Sequence, residues 1–321
     1  MDGLIAGVQS LFGPEWRGIF DLFSLYGGPW GWFYVYLLVF YAAGSRTGMR
    51  ISLVTLVAIV SNTWLKWLIA QPRPYFVDEA VQAMRATPGF GMPSGHAEGV
   101  AAQWGAVAWQ SRRVWVWGVA GFVILMTGLS RVYFGVHSVP QVLIGWLLGG
   151  VCIGLVALGE APLLGWLHRR TLVGQVLWIS AATFVMLLLS LGILELKKDF
   201  SPPHRWLENF SATVERTGDE QIFSLYGSSV LMVFGLVYGV ALMGLYFLRK
   251  GPVVVRGWKQ RLMNLVIGSL TVAVFFWLFY LIRYDGSPRA FVLTTSLLLF
   301  QPWFTILLPL KLGKRFALPS V

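Results

Sequence analysis

Residues 172–193 read LVGQVLWISAATFVMLLLSLGI and carry no charged side chain. A helix of that length rises through about 30 Å, the thickness of a bilayer's hydrocarbon core. In lipid a helix satisfies its own backbone hydrogen bonds, which an unpaired strand cannot do. The stretch therefore reads as a membrane span. Working outward, runs of similar character occupy 26–44, 51–70, 96–110, 114–130, 138–158, 224–248, 262–282 and 290–310. The expected fold is all-α, a polytopic transmembrane helix bundle of about nine spans. The run at 96–110 is short for a full crossing and is expected to extend over 92–112 or to sit partly re-entrant.

Composition agrees. Of 321 residues 56% are hydrophobic and 12% charged, with mean hydropathy +0.67, whereas a soluble domain carries about 25% charged residues. Sixteen Trp and 22 Phe suit interfacial belts and lipid-facing helices. The single cysteine, Cys152, excludes an internal disulfide and a cysteine-based metal site. Met1-Asp2-Gly3-Leu4 lacks the basic region of a cleavable signal peptide.

Net charge is +11, which by itself would suit nucleic acid. Its distribution points elsewhere. With the spans alternating, one side receives Arg46, Arg50, Arg112, Arg113, Arg169, Arg170, the basic cluster 249–261 and the tail 311–315. That is 14 of the 25 basic residues against one of the 14 acids, Glu160. The positive-inside rule then places the N-terminus outside and the C-terminus in the cytosol. Basicity is an orientation signal, and no nucleic-acid partner is expected.

The longest polar stretch, 194–223, falls outside and reads as a short lid or surface helix. It contains a glycosylation sequon, Asn209-Phe210-Ser211, relevant only in a eukaryotic host. Phe23-Ser24-Leu25-Tyr26-Gly27 recurs at 223–227, which reads as an interfacial helix start rather than a duplicated domain. Gly145, Gly149, Gly150 and Gly154 give the fifth helix a small-residue face for close packing. The expected division is an outer segment 1–25, a six-helix core 26–193, the outer loop 194–223, and three further helices with a cytosolic tail over 224–321. Those last helices are candidates for shaping substrate access or for a homodimer contact.

Chemistry concentrates on the outer ends of the helices. Lys66 ends the second span, and a lysine in an apolar run is costly unless it snorkels or meets an anion. Arg73 stands between Pro72 and Pro74, which hold the chain extended so that Arg73 points back toward Lys66. Pro93-Ser94-Gly95-His96 opens the third helix. Ser94 suits an N-cap, Gly95 permits close backbone approach, and a helix N-terminus favours an anion. Ser130-Arg131 ends the fourth helix and His137 precedes the fifth. Three cations, Lys66, Arg73 and Arg131, suit phosphate: a guanidinium grips two oxygens while the ammonium acts as a point charge. Two histidines beside a phosphate ester divide the work of breaking it. His137 attacks phosphorus, and His96 protonates the leaving oxygen, then serves as base for water. No metal or other cofactor is required. Glu98 lies two residues past His96 and is expected to pair with a cation at the rim, without a catalytic role.

Taken together, these segments resemble the superfamily of type 2 phosphatidic acid phosphatases and vanadium haloperoxidases. Its signature is K-x6-R-P, P-S-G-H and S-R-x5-H-x3-D. The matching positions are Lys66, Arg73, Pro74, Pro93, Ser94, Gly95, His96, Ser130, Arg131 and His137. The resemblance implies phosphate binding by Lys66, Arg73, Ser94, Gly95 and Arg131, with His137 as nucleophile and His96 as acid and base. The final Asp is replaced by Gln141. In the family that Asp orients and charges the nucleophilic His. A Gln oxygen accepts the Nδ1 proton but does not neutralise an imidazolium. Ser138-Val139-Pro140-Gln141 also reads as a capping box, so Gln141 either orients His137 or caps the helix. The departure, the motif Lys66-Trp67 to Arg73-Pro74-Tyr75, and the nine-span topology resemble the glucose-6-phosphatase branch.

The expected function is a membrane phosphatase of phosphomonoesters or diphosphates. A lipid phosphate, of phosphatidic acid or polyprenyl diphosphate type, reaches an interfacial site laterally. The branch resemblance favours a hexose phosphate instead, and a phosphotransferase to a lipid acceptor would use the same residues. Expected partners are membrane lipids and a phosphorylated lipid or sugar. The expected location is a bacterial inner membrane with a periplasmic site, or endoplasmic reticulum with a luminal one.

Overall fold

The computed structural model describes residues 2–219, 221–223, 229–255, 257–282, 293, 296, 297, 299–301 and 303–316. Among these residues the chain is all-α, with no strand. In order come α1 Asp2–Leu11, a 3-10 turn Pro14–Trp16, α2 Arg17–Tyr26, α3 Pro29–Ala43, α4 Ser45–Ile69 and the one-turn α5 Pro74–Val77. Then follow α6 Gly95–Ser111, α7 Val114–Tyr133, α8 Val139–His168, α9 Leu172–Leu196, α10 His204–Thr217, α11 Ser229–Lys250 and α12 Trp258–Ile282. A π-helical turn Trp303–Leu307 leads into α13 Leu308–Phe316.

Among the described residues, five stretches are long and apolar enough to cross a membrane: Ser45–Val77, Val114–Tyr133, Val139–His168, Leu172–Leu196 and Val233–Lys250. The run that opened the sequence is the barest of them. Leu177, Trp178, Phe184 and Leu188 on α9 are all exposed, a face that suits lipid and not water. α6, at 17 residues, is indeed short, and α3 has 15. The spans expected at 290–310 and 224–248 fall partly outside the described residues, and most of the second Phe-Ser-Leu-Tyr-Gly copy lies outside them.

The chain divides into two compact units that are not consecutive in sequence. One comprises Met1–Trp32, Val54–Leu155 and Ser190–Gly227; the other comprises Phe33–Leu53, Val156–Leu189 and Ser228–Val321. Every motif residue lies in the first. There, Gly145 and Gly149 let α8 approach the backbone of α6: a Cβ on Gly145 would stand 2.8 Å from the Ser94 carbonyl oxygen, and one on Gly149 would stand 2.7 Å from that of Glu98. Gly150 and Gly154 face open space, so only half of the expected small-residue face is used. α2 lies against α7 through Phe20 on Tyr133, ring centroids 4.5 Å apart, and Phe23 on Phe122 at 5.6 Å. Within the polar stretch 194–223 the chain forms α10, which buries Trp206 and Phe210 against Phe76 of α5. Asn209, the sequon asparagine, donates its amide to the Phe76 carbonyl at 3.1 Å.

The second unit packs Leu37, Phe40 and Tyr41 of α3 with Met243, Phe247, Ile306 and Leu310. Glu160, the lone acid among the basic clusters, is paired with Arg50 at 2.7 Å.

Candidate active site

α4 delivers Lys66 one turn before its end. Ala70 takes a left-handed conformation, φ 51°, and turns the chain out of the helix. Gln71-Pro72-Arg73-Pro74 then runs extended, as the two prolines require, with Arg73 at φ −73° and ψ 153°. Both cations are held by carbonyls of the loop that follows. Lys66 Nζ donates to the Phe90 oxygen at 2.7 Å. Arg73 is buried; its Nε donates to the Gly89 oxygen at 3.0 Å and its Nη2 to the Pro88 oxygen at 2.9 Å. Nη1 donates to the Val136 oxygen at 3.0 Å and approaches His137 Nε2 at 3.1 Å. A guanidinium has five N–H groups, so little of Arg73 is left for a bidentate phosphate grip in this state.

Ser94 occupies the N-cap position of α6 but its side chain makes no cap bond. Its hydroxyl is fully buried and has no hydrogen-bond partner among the described residues. Its backbone N–H donates to the Gln141 carbonyl oxygen at 3.1 Å. Gly95 admits the Asn62 carboxamide, whose oxygen would lie 2.9 Å from an added Cβ. His96 sits beside Gly27 and Gly28 at the end of α2, where Cβ atoms would lie 3.1 and 3.6 Å from its ring.

Arg131, at the end of α7, is buried and donates through Nη1 to Ser24 Oγ at 2.6 Å, while its Nε has no partner among the described residues. His137 is buried between Arg73 and Gln141. Gln141 Oε1 lies 3.2 Å from His137 Nδ1 and accepts from the Ser138 backbone N–H at 3.2 Å. Its Nε2 donates to the Pro72 oxygen at 3.0 Å. One backbone donor and one backbone acceptor thus fix the orientation of the carboxamide. Oε1 can only accept from His137, so Nδ1 carries the proton. Arg73 can only donate, so Nε2 of the neutral ring holds the lone pair. Burial, then the charges of Arg73, Lys66 and Arg131, lowers the His137 imidazole well below its ordinary value of 6.5. The neutral ring is the form with a lone pair for phosphorus.

Some neighbours of the site carried no motif. Glu98 is not at a rim. It is fully buried and accepts from Ser61 Oγ and Asn62 Nδ2, each at 2.7 Å; Asn62 in turn donates to the Pro93 oxygen at 3.3 Å. A carboxylate two residues past His96 is thus tied, through Asn62, to the loop that presents Ser94. Ser24 and Gly27 belong to the repeated pentapeptide, which was the one sequence signal marking this segment.

Chemically, the arrangement offers a neutral imidazole with a directed lone pair, a second imidazole, three cations and an unengaged buried hydroxyl. Residues 47–161, which include every one of these motif positions, match the PAP2 superfamily. This stretch is a PAP2 superfamily domain. Three relatives agree with it. An undecaprenyl-diphosphatase of Sulfolobus acidocaldarius is 32% identical over 136 residues, covering 41% of this chain and 65% of the relative. The glucose-6-phosphatase catalytic subunit 1 of Haplochromis nubilus is 24% identical over 215 residues, covering 58% and 61%. Glucose-6-phosphatase 3 of Rattus norvegicus is 28% identical over 204 residues, covering 56% and 58%. The chain spans less than two thirds of the length of each of these relatives. No solved structure matches it. The PAP2 domain thus begins in α4 and ends within α8, and the segment 1–46 that brings Ser24 and Gly27 to it lies outside the matched range.

Proposed function

We propose that this protein is an integral membrane phosphatase that cleaves a phosphate ester or anhydride through a phosphohistidine on His137. The observation that carries the proposal is the Gln141–His137–Arg73 line, which leaves the Nε2 lone pair as the reactive one. Nε2 attacks phosphorus as Arg73 shifts from the ring to the phosphate oxygens. Lys66, Arg131, the Ser94 hydroxyl and the Gly95 amide hold the equatorial oxygens, where phosphoryl transfer most needs stabilisation. His96 gives its proton to the leaving oxygen. It then takes one from the water that releases phosphate from His137, a positioned acid–base role typically worth about 10²–10⁴ in rate. No step calls on a metal.

A lipid phosphate of polyprenyl diphosphate or phosphatidic acid type is the favoured substrate. Supporting this are the apolar helices that carry the site and the undecaprenyl-diphosphatase relative. Hexose phosphate is a second candidate, favoured by the glucose-6-phosphatase relatives and by Gln141 in place of Asp. The charge pattern supports about nine spans with the site on the outer side, periplasmic or luminal.

The test is phosphate release by purified protein in detergent with chelator present. Undecaprenyl diphosphate, phosphatidic acid and glucose 6-phosphate are offered side by side, with His137→Ala as control. Release from a lipid substrate, lost with the phosphoenzyme in His137→Ala, is the expected result. Near wild-type turnover in His137→Ala would remove it as nucleophile. Product that appears only when a lipid acceptor is added would identify a transferase.

A further inference from the structure

Arg85 lies between the first two motifs and belongs to neither. Its guanidinium rests over the Phe134 ring, 4.6 Å from the centroid. Nη2 donates to Asp21 Oδ1 at 2.5 Å and Nη1 reaches Ser24 Oγ at 3.4 Å. The same Ser24 hydroxyl accepts from Arg131 Nη1 at 2.6 Å. One small side chain of α2 therefore stands between two guanidinium groups, one within the motif set and one outside it. Two like charges this close repel unless an anion accompanies them.

Ser24 lies three and four residues before Gly27 and Gly28, whose added Cβ atoms would stand 3.1 and 3.6 Å from the His96 ring. Arg85, through Ser24, thus stands on the face of α2 that meets His96, the group assigned to the leaving oxygen. Its bond to Asp21 is open to exchange: the two side chains are 39% and 38% exposed, and ion pairs so exposed are weakly held. A phosphate gives a guanidinium two parallel charge-assisted bonds, which are stronger.

We propose that Arg85, exchanging Asp21 for substrate, forms a second anion subsite with Ser24 that holds the leaving phosphate of a diphosphate ester. It deepens the phosphatase reading above and rests on it. His137 Nε2 bonds to the terminal phosphorus. The bond from that phosphorus to the bridging oxygen breaks, and its electron pair leaves on the monophosphate ester, which Arg85 holds beside His96. Water then cleaves the N–P bond, giving inorganic phosphate and free His137. Asp21 covers Arg85 between turnovers and competes with substrate for it.

Farnesyl diphosphate and farnesyl monophosphate form a matched pair that differs by one phosphate. The quantity read is the ratio of kcat/KM for diphosphate to that for monophosphate, in wild type, Arg85→Gln and Asp21→Asn. A wild-type ratio above one that falls at least tenfold in Arg85→Gln and rises about threefold in Asp21→Asn is the expected pattern. A ratio unchanged within twofold in Arg85→Gln overturns the subsite, even if both rates fall. If Arg85→Gln does not fold, Asp21→Asn decides: a rise supports the subsite, and no change or a fall overturns it. Wild type active on the monophosphate alone overturns the subsite and leaves the phosphatase standing. Wild type active on neither, nor on any substrate above, overturns the phosphatase itself.

Discussion

Gln141 bonds to a backbone N–H, a backbone carbonyl and a histidine ring through one carboxamide. It both caps α8 and orients His137, two roles that the sequence presented as alternatives. A carboxylate in its place would set an oxygen against the Pro72 carbonyl, 3.0 Å away, where an N–H now donates. Gln141→Glu is expected to cost about 1–3 kcal/mol of stability for that reason, read as a lowered melting temperature in detergent. Gln141→Leu removes the Nδ1 acceptor, and a loss of kcat on the order of 10²-fold is expected, as for a misplaced reacting group. Near wild-type kcat in Gln141→Leu would show that the contact only caps. The pH dependence follows from the same ring. Protonation blocks attack, and His137 is held below its ordinary 6.5, so the neutral nucleophile survives on the acid side of that value. Phosphoenzyme formation should lose its rate only as pH falls well below 6.5, and an acid limb at or above 6.5 would contradict this.

Between elements, close approach is the deciding feature. α8 meets α6 where glycines leave room, and the contacted atoms are the Ser94 oxygen and the Glu98 nitrogen, 2.8 and 3.1 Å from a Cβ on Gly145. These are backbone atoms that do not swing aside. Gly145→Ala is expected to destabilise by roughly 1–3 kcal/mol through overpacking and to lower kcat by displacing Ser94. Gly150 sits on the same helix with nothing within 4 Å. There alanine should be neutral or stabilise by up to ~1 kcal/mol, since glycine is the poorer helix former. Melting curves of the two variants make the comparison; equal effects would remove the packing argument. Ser94 makes a related point. A serine before a helix was expected to cap it, yet its hydroxyl stays unengaged, which leaves it for a ligand.

Over the whole chain, charge asymmetry is the strongest statement about placement in the membrane. With nine alternating spans, as proposed, fourteen of the 25 basic residues would fall on one side against a single acid. In a Cys152→Ala background, Arg113→Cys should be closed to an impermeant maleimide in sealed cells, and Lys198→Cys open to it. The reverse pattern would invert the topology and carry the site to the cytosol.

Much of this was legible in the sequence because it is local. Apolar runs of helical length state the all-α class, since backbone in lipid has few alternatives. Two prolines around Arg73 dictate its extended backbone, and the residue types of the three motifs name a phosphate chemistry. The tertiary structure alone decided what those residues touch. Arg73 is held by carbonyls of residues 88, 89 and 136, so it meets His137 before any phosphate. Glu98, expected at a rim, is buried beneath the Ser94 loop. Ser24 joins Arg131 across 107 positions and Arg85 across 61. Contacts at such separations leave no period or motif in the chain, because they arise only when packed helices bring distant segments together.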